Sequence, residues 1–585
     1  MVRSGIQKLL PVALVLSLAC FGIACNGTYD SPLANQVHAV SSEVSVSGPT
    51  VAEIQSQRIN LQTELMAERI EIDDQAAVRV EMSLDELHQI ATEEMRQRSI
   101  FPGPKLIGVI YPVAASVNFR PLRSVALSAQ PRLLPVGAVR LARDGGFVWS
   151  TSVSSSGAKA IRLHLAGMSL PESAELFIFG SGSDAFGPYT AKGPAGSGEF
   201  WAPSIIGSVA HVLVRYHGAP VDADLAADWF TIDSIGHVEP AALDLNGPDA
   251  AEKYGIGTQC YGASCTENAS GHYSQLNGAA DGIAEIQFIE GPYVYMCTGG
   301  LLADSDTSSQ IPYFLTAHHC ISRGKVAKTM EAYFRYQSSG TCGDADQDGL
   351  KVGGGAALLK SASGGDYTLL RLNSQPPAGS VFLGWSTADI AYADGTSLFR
   401  FSHPAGGPLA YSEHSVDVGK GTCQSWPRGG WIYSTDTFGA TEGGSSGSPV
   451  LNSAGQVVGQ LSGGCGTNVN DECDTVNNAT VDGAFARYYA DIAQWLGSGS
   501  SGGCADADGD GYEDDACGGT DCNDSSAAIN PGAAEVCGDS LDNNCDGQID
   551  EGCGSTCLAS GQSCSTGGDC CSGNCKGKRG RKTCR

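Results

Sequence analysis

The chain has 585 residues, too many for one ordinary domain, and 42% of them are hydrophobic, enough to bury a sizeable core. Its 77 glycines disfavour a helix-rich architecture, and a charged fraction of 17% argues against a long disordered polyampholyte. A net charge of −28 excludes general binding to nucleic acid, and 22 cysteines crowded into the C-terminal half place the protein outside the cytosol.

Residues 1–25 read as a signal peptide. Arg3 and Lys8 give a basic start, and the apolar run Leu9 to Ile23 is too short to span a membrane permanently. The end of the run, Phe21-Gly22-Ile23-Ala24-Cys25, resembles a lipoprotein box, and Leu16-Ser17-Leu18-Ala19-Cys20 fits a similar pattern. Lipidation of Cys25 would anchor the protein at the bacterial cell surface. Simple cleavage would leave it secreted.

Residues 26–254 contain no cysteine. Ser83-Leu84-Asp85-Glu86 has the form of a capping box and predicts a helix to about Arg98. Farther on, Ile161, Leu163 and Leu165 alternate with Arg162 and His164. Leu176-Phe177-Ile178-Phe179 and Val212-Leu213-Val214 follow between glycine-rich turns, so a β-sandwich is expected at about 130–235. Lying between a signal and a catalytic block, this region reads as a propeptide; a separate adhesive β-domain is the alternative.

The block 255–496 carries eight cysteines and closes on Phe485, Tyr488, Tyr489, Ile492, Trp495 and Leu496, spaced as one apolar helix face. Residues 497–503 are glycine and serine only, a flexible linker. Residues 504–553 hold six cysteines, fourteen acidic residues and no lysine or arginine; residues 557–585 hold six cysteines, six basic residues and one acid.

Three motifs in the 255–496 block carry chemistry. Thr316-Ala317-His318-His319-Cys320 ends an apolar run, Asp366 opens Asp366-Tyr367-Thr368-Leu369-Leu370, and Gly443-Gly444-Ser445-Ser446-Gly447-Ser448-Pro449 is a tight turn around a serine. A serine hydroxyl becomes a nucleophile when a histidine takes its proton, and a carboxylate must orient that imidazole. Glycines beside the serine let backbone N–H groups face a developing oxyanion.

These motifs, in this order, resemble the chymotrypsin-like serine proteases, and most closely the secreted bacterial lysyl endopeptidases. Thr441-Glu442 before the serine and Gly459-Gln460-Leu461 after it add to the likeness. The resemblance implies a double β-barrel, with His319 as base, Asp366 as its partner, Ser446 as nucleophile and the N–H groups of Gly444 and Ser446 as oxyanion hole. No cofactor is implied for catalysis, and the partners are protein or peptide substrates. It also implies Cys297–Cys320 and Cys265–Cys342 disulfides, with Cys260 joined to Cys465 or Cys473 and Cys423 to the other.

Specificity is less closely matched. The trypsin pocket acid would stand at Ala440, the family's pocket aspartate aligns with Thr480, and its pocket histidine with Ser462. Trp426 matches the pocket-side tryptophan, and Ser462, Gly463, Gly464 and Asp482 are expected at the substrate. Asp474 and Asp482 are the candidate partners for a cationic side chain, with cleavage after lysine or arginine.

Asp506, Asp508 and Asp510, followed by Gly511, have the spacing of a calcium loop, and Asp542, Asn544 and Asp546 repeat it. The block resembles thrombospondin-type calcium repeats, which implies structural calcium in residues 504–553. Asp344, Asp346 and Asp348 show the same spacing inside the protease block. The last six cysteines are spaced as in an inhibitor cystine knot, whose basic Lys576, Lys578, Arg579, Arg581 and Lys582 could meet an anionic surface. The rival reading is a calcium-dependent surface adhesion protein with an inactive protease-like core.

Overall fold

The computed structural model describes residues 37–238 and 261–497, apart from 46–47, 72–76, 82–91, 93–102, 120–126, 183, 219–227, 307–308, 339–348 and 424. It also describes parts of 522–545 and a C-terminal hairpin. The signal and lipid-site cysteines, the linker, the predicted helix at 83–98, the loop at Asp344–Asp348 and Asp506, Asp508, Asp510, Asp542 and Asp546 lie outside the described residues.

Helix α1, Val51–Glu68, starts at Thr50, whose side chain accepts from the Glu53 N–H while Glu53 reaches back to the Thr50 N–H at 2.8 Å. This second capping box is hard to see in the sequence because α1 has little apolar periodicity to mark it. Its Leu65 packs with Val148, Phe177, Phe179 and Leu213 on the outside of the expected sandwich.

One sandwich sheet runs in the order Ala185–Tyr189, Ala174–Phe179, Val209–Tyr216, Phe147–Ser155, Ala138–Leu141. The other contains Ala160–Ala166, Asp228–Val238 and the long strand β1, Lys105–Asn118. Phe119, Phe147, Trp149 and Trp229 fill the space between them, as the alternation of apolar residues requires.

Beyond the sandwich come β2 (Ile283–Glu290), β3 (Tyr293–Leu302), β4 (Tyr313–Ala317) and β5 (Tyr367–Leu372), the body of a half-barrel. A second barrel uses β6 (Ser397–Ser402), β7 (Ala410–Val416), β8 (Trp431–Phe438), β9 (Pro449–Leu451), β10 (Val457–Gly466) and β11 (Asn478–Ala484). Pairing in the order β10-β9-β6-β7-β8-β11, with β11 returning to β10, closes it. Helix α2, Phe485–Leu496, buries Phe485, Tyr488, Ile492 and Leu496 as the spacing predicted. The fold is thus mainly β, a chymotrypsin-like double barrel preceded by a sandwich.

The sandwich and half-barrel share one sheet. β1 pairs antiparallel with β3, with Lys105 opposite Met296 and Val109 opposite Tyr293. Buried charges cross the same junction. Lys351 Nζ is 3.1 Å from Asp184 Oδ2, and Arg162 Nε is 4.0 Å from Glu331 Oε2. Burial pushes the Glu331 carboxyl up, but Arg162, Lys351 and the Ser204 bonds outweigh it and hold Glu331 below the usual range. Removing one member would strand its partner's charge, a cost of about 3–5 kcal/mol for a buried pair.

The structure revises the cystine pattern. Cys297–Cys320 forms as implied, and Cys423 pairs with Cys465, one of the two open choices. Cys265 pairs with Cys473 rather than Cys342. The strands bring residues 208 apart in sequence to a Cα separation of 5.7 Å, a distance a disulfide can bridge. With both of its implied partners taken, Cys260 joins neither; Cys260 and Cys342 lie outside the described residues.

Candidate active site

His319 follows β4 and Asp366 precedes β5, and these strands pair with Ala317 opposite Tyr367. The register therefore brings the two turns together. His319 Nδ1 lies 2.8 Å from Asp366 Oδ2, and the His319 backbone N–H donates to Asp366 Oδ1 at 3.0 Å. His319 Nε2 is buried and has no hydrogen-bond partner among the described residues. His318 is disposed differently: its ring meets Ser361 Oγ at 2.8 Å.

Asp366 has φ +52°, a left-handed conformation that a short polar side chain tolerates. Gln460, fully buried on β10, holds this turn by donating through Nε2 to the carbonyls of Gly365 and Asp366, each at 2.9 Å. The Tyr488 hydroxyl of α2 donates to Gln460 Oε1, and its ring stacks on Tyr367 at 4.1 Å. Sequence reading noted Gly459-Gln460-Leu461 as part of a likeness but gave Gln460 no role. Its partner turn lies some 95 residues upstream.

The serine turn is pinned between the barrels. Thr298 on β3 donates its backbone N–H to Ser446 O and its hydroxyl to Gly444 O, both at 2.8 Å. Gly444 has φ +105°, and a Cβ there would stand 2.7 Å from the His403 carbonyl oxygen. The N–H groups of Ser445 and Gly447 donate to Glu442 O and Leu461 O. Those of Gly444 and Ser446 meet no backbone carbonyl among the described residues. Burial pushes the neighbouring His403 imidazole down to about 4, only partly offset by the Gly407 carbonyl, so this supporting ring is neutral at pH 7.

Ser446 borders a cavity of about 390 Å³, whose walls include Gly443, Gly463, Gly464, Thr480 and Asp436. Residues 103–106, at the start of β1, form part of the same lining. Of the residues expected at the substrate, Gly463 and Gly464 line this cavity. Ser462 is fully buried beside them, Trp426 packs with Tyr433 and Val481, and neither borders the cavity.

Of the two candidate acids, Asp482 is wholly buried, and Arg400 Nη2 donates to its Oδ1 at 2.5 Å. Its Oδ2 is buried with no hydrogen-bond partner among the described residues, and Asp482 does not line the cavity. Asp474 reaches the exposed rim of the cavity, where bonds from Asn468 and Asn477 draw its carboxyl down to about 2. Asp436, for which the sequence shows no signal, lines the cavity together with Glu442, Glu472 and Asp474. His414 Nδ1 lies 2.7 Å from Asp436 Oδ1, and Thr480 Oγ1 donates to the same atom at 2.5 Å. Burial raises the Asp436 carboxyl, but His414, the Thr480 bond and Arg400 outweigh it, so it ionises below the usual range.

In the acidic block only Asn544, of the expected metal ligands, is described. Close by, a Cys522–Cys545 disulfide and an Asn530 N–H bond to Asn543 O fold the segment back on itself. Residues 521–551 contain no histidine and no methionine, and Cys522 and Cys545 are joined in a disulfide, so apart from Cys537 the donors on offer are oxygens, which suit a hard cation. At the C-terminus, Cys575–Lys578 and Arg581–Cys584 pair as a hairpin within the basic tail.

Residues 259–480 match the family model of the lysyl endopeptidase C-terminal domain, and residues 521–551 match a model described as a metal-binding motif, whose family name refers to copper. A lysyl endopeptidase of Pseudomonas aeruginosa is 28% identical over 372 residues, covering 59% of this chain and 76% of the relative.

Among solved structures, the HtrA-type protease AlgW with tripeptide is 14% identical with a TM-score of 0.28; the match covers 38% of this chain and 63% of AlgW. The MamO protease domain of Magnetospirillum magneticum is 15% identical with a TM-score of 0.24, over 36% of this chain and 96% of that one. The sequence matches make this chain a serine endopeptidase. Its protease block is similar to the catalytic part of the lysyl endopeptidases.

Proposed function

We propose that the protein is a secreted serine endopeptidase, made as a precursor, that hydrolyses peptide bonds through Ser446, His319 and Asp366 and cleaves after lysine or arginine. The observation that supports the mechanism is the His319–Asp366 pair, which leaves Nε2 of the imidazole without a hydrogen-bond partner among the described residues. Ser446 Oγ attacks the carbonyl carbon while His319 Nε2 takes its proton. Asp366 Oδ2 holds the Nδ1–H and stabilises the imidazolium. The N–H groups of Gly444 and Ser446 receive the oxyanion, and His319 returns the proton to the leaving amine.

The course of β1 supports precursor status. An extended strand added to β3, starting in the lining of the Ser446 cavity, stands where part of a peptide substrate would lie. The region 26–254 is then a propeptide, and 255–496 the protease. A fluorophosphonate is expected to label Ser446, and a peptide-library digest to give main cuts after lysine or arginine. Main cuts after apolar or acidic residues would overturn the specificity and leave the serine mechanism standing.

Residues 504–553 hold structural calcium in this reading, through Asp506, Asp508, Asp510, Asp542, Asn544 and Asp546. Such a cation supplies charge neutralisation that folds an acidic segment, and peptide hydrolysis does not use it. Calorimetry on the whole protein is expected to show calcium uptake with Kd of roughly 10⁻⁴–10⁻³ M. Asp506→Asn with Asp542→Asn should abolish it, while chelator leaves hydrolysis in place. Absence of uptake by the unsubstituted protein would refute the assignment.

A further inference from the structure

We infer that Asp436 selects the side chain on the acyl side of the cut, and that it does so as a single-oxygen partner for a lysine ammonium. The inference rests on the serine-endopeptidase reading above and names the acid that reading lacks: Ala440 and Thr480 carry no charge, Asp482 does not line the cavity, Glu442 accepts from Thr266 Oγ1 at 2.7 Å, and Glu472 is exposed, with Asp474 at the rim.

The register places Asp436 in the wall. On β8, Ser434 pairs with Thr480 of β11, and Thr480 also pairs with Gly464 of β10. Asp436 lies two residues beyond Ser434 on the same face, so its carboxylate is the diagonal neighbour of Thr480. The hydroxyl at the aligned pocket position thereby serves the acid instead of replacing it. Gly463 and Gly464, with no side chains, leave the opposite wall open to an incoming chain.

The carboxylate is held in one orientation. The Asp436 side chain is 9% exposed, and His414 and Thr480 both engage Oδ1. His414 is itself held from behind, its Nε2 lying 2.9 Å from Ser412 Oγ. Neither bond uses Oδ2, which is left to the cavity. Asp436 Oδ2 is not among the buried unpaired atoms of the described residues, so it is open to an incoming group, and a cation entering the cavity would be its partner. One oxygen matches a compact ammonium. The planar fork of arginine makes its best contact with two.

The test uses three substrates alike except for the residue before the cut: lysine, arginine, or the uncharged norleucine. The unsubstituted protein is expected to cleave after lysine at least tenfold better than after arginine, by kcat/KM. Asp436→Asn is expected to lower the lysine-to-norleucine ratio at least 100-fold. Labelling of the same sample at Ser446 by a fluorophosphonate reports whether fold and nucleophile are intact. If Asp436→Asn does not label, Asp436→Asn with Thr480→Asp, which returns a carboxylate one strand away, carries the test and should restore the lysine preference. A ratio unchanged by Asp436→Asn, a loss caused instead by Asp474→Asn, or arginine cleaved as well as lysine would overturn the inference. Absence of labelling in the unsubstituted protein would refute the serine mechanism itself.

Discussion

Replacing Ser446 with alanine is expected to reduce kcat for peptide hydrolysis by about 10⁶-fold, the scale seen when a triad nucleophile is removed. In the proposed mechanism this hydroxyl is the attacking group, and what remains without it is binding and the N–H groups of residues 444 and 446. The fold should not suffer. The turn is held by the Thr298 bonds to Ser446 O and Gly444 O and by the tight packing of Gly444, none of which involves Ser446 Oγ. If the precursor cuts itself, the full-length Ser446→Ala chain should also accumulate, seen as intact mass with an unprocessed N-terminus. Normal processing of that variant would mean that another protease matures it, and retained hydrolysis would sink the nucleophile assignment.

Asp366→Asn should cost about 10⁴-fold in kcat, with a smaller change in KM. The substitution is clean. Asparagine tolerates the left-handed backbone that Asp366 adopts, and its oxygen can still accept from the His319 N–H. Its amide nitrogen then faces His319 Nδ1 and favours the tautomer with the proton on Nε2, where a base is needed. Gln460→Ala tests the brace behind the acid by comparison. It should lower kcat far less than Asp366→Asn, because it loosens the turn without removing the charge. Equal losses from the two substitutions would show that the acid acts chiefly as a structural anchor.

Much of the proposed site is legible in the sequence because its signals are local. A histidine beside a cysteine at the end of an apolar run, an aspartate at the mouth of a strand and a glycine-flanked serine each occupy a few adjacent residues. Each has a chemistry that few other residue combinations serve. The sandwich and α2 were legible for a related reason: periods of two and 3.6 state which face is buried without saying what covers it. α1 escaped because its burial rests largely on Leu65, too thin a stripe to read, although Thr50 and Glu53 marked its start.

The sequence by itself determined the chemistry and its order along the chain: a cysteine-free β region, a block bearing histidine, aspartate and serine, and two small cysteine-rich modules of opposite charge. Tertiary structure decided that Asp436 and not Asp482 lines the cavity beside Ser446, which cysteine joins Cys265, and that β1 extends the sheet of β3. Each of these depends on register between strands far apart in the chain, where a slip of one residue turns a side chain from one face to the other. Asp482 looked like a pocket residue until Arg400 was found against it, and Asp436 looked unremarkable until β8 and β11 were laid side by side. Adjacent residues encode turns and periods, but the pairing of distant strands is settled by how whole faces pack, and that is read in space.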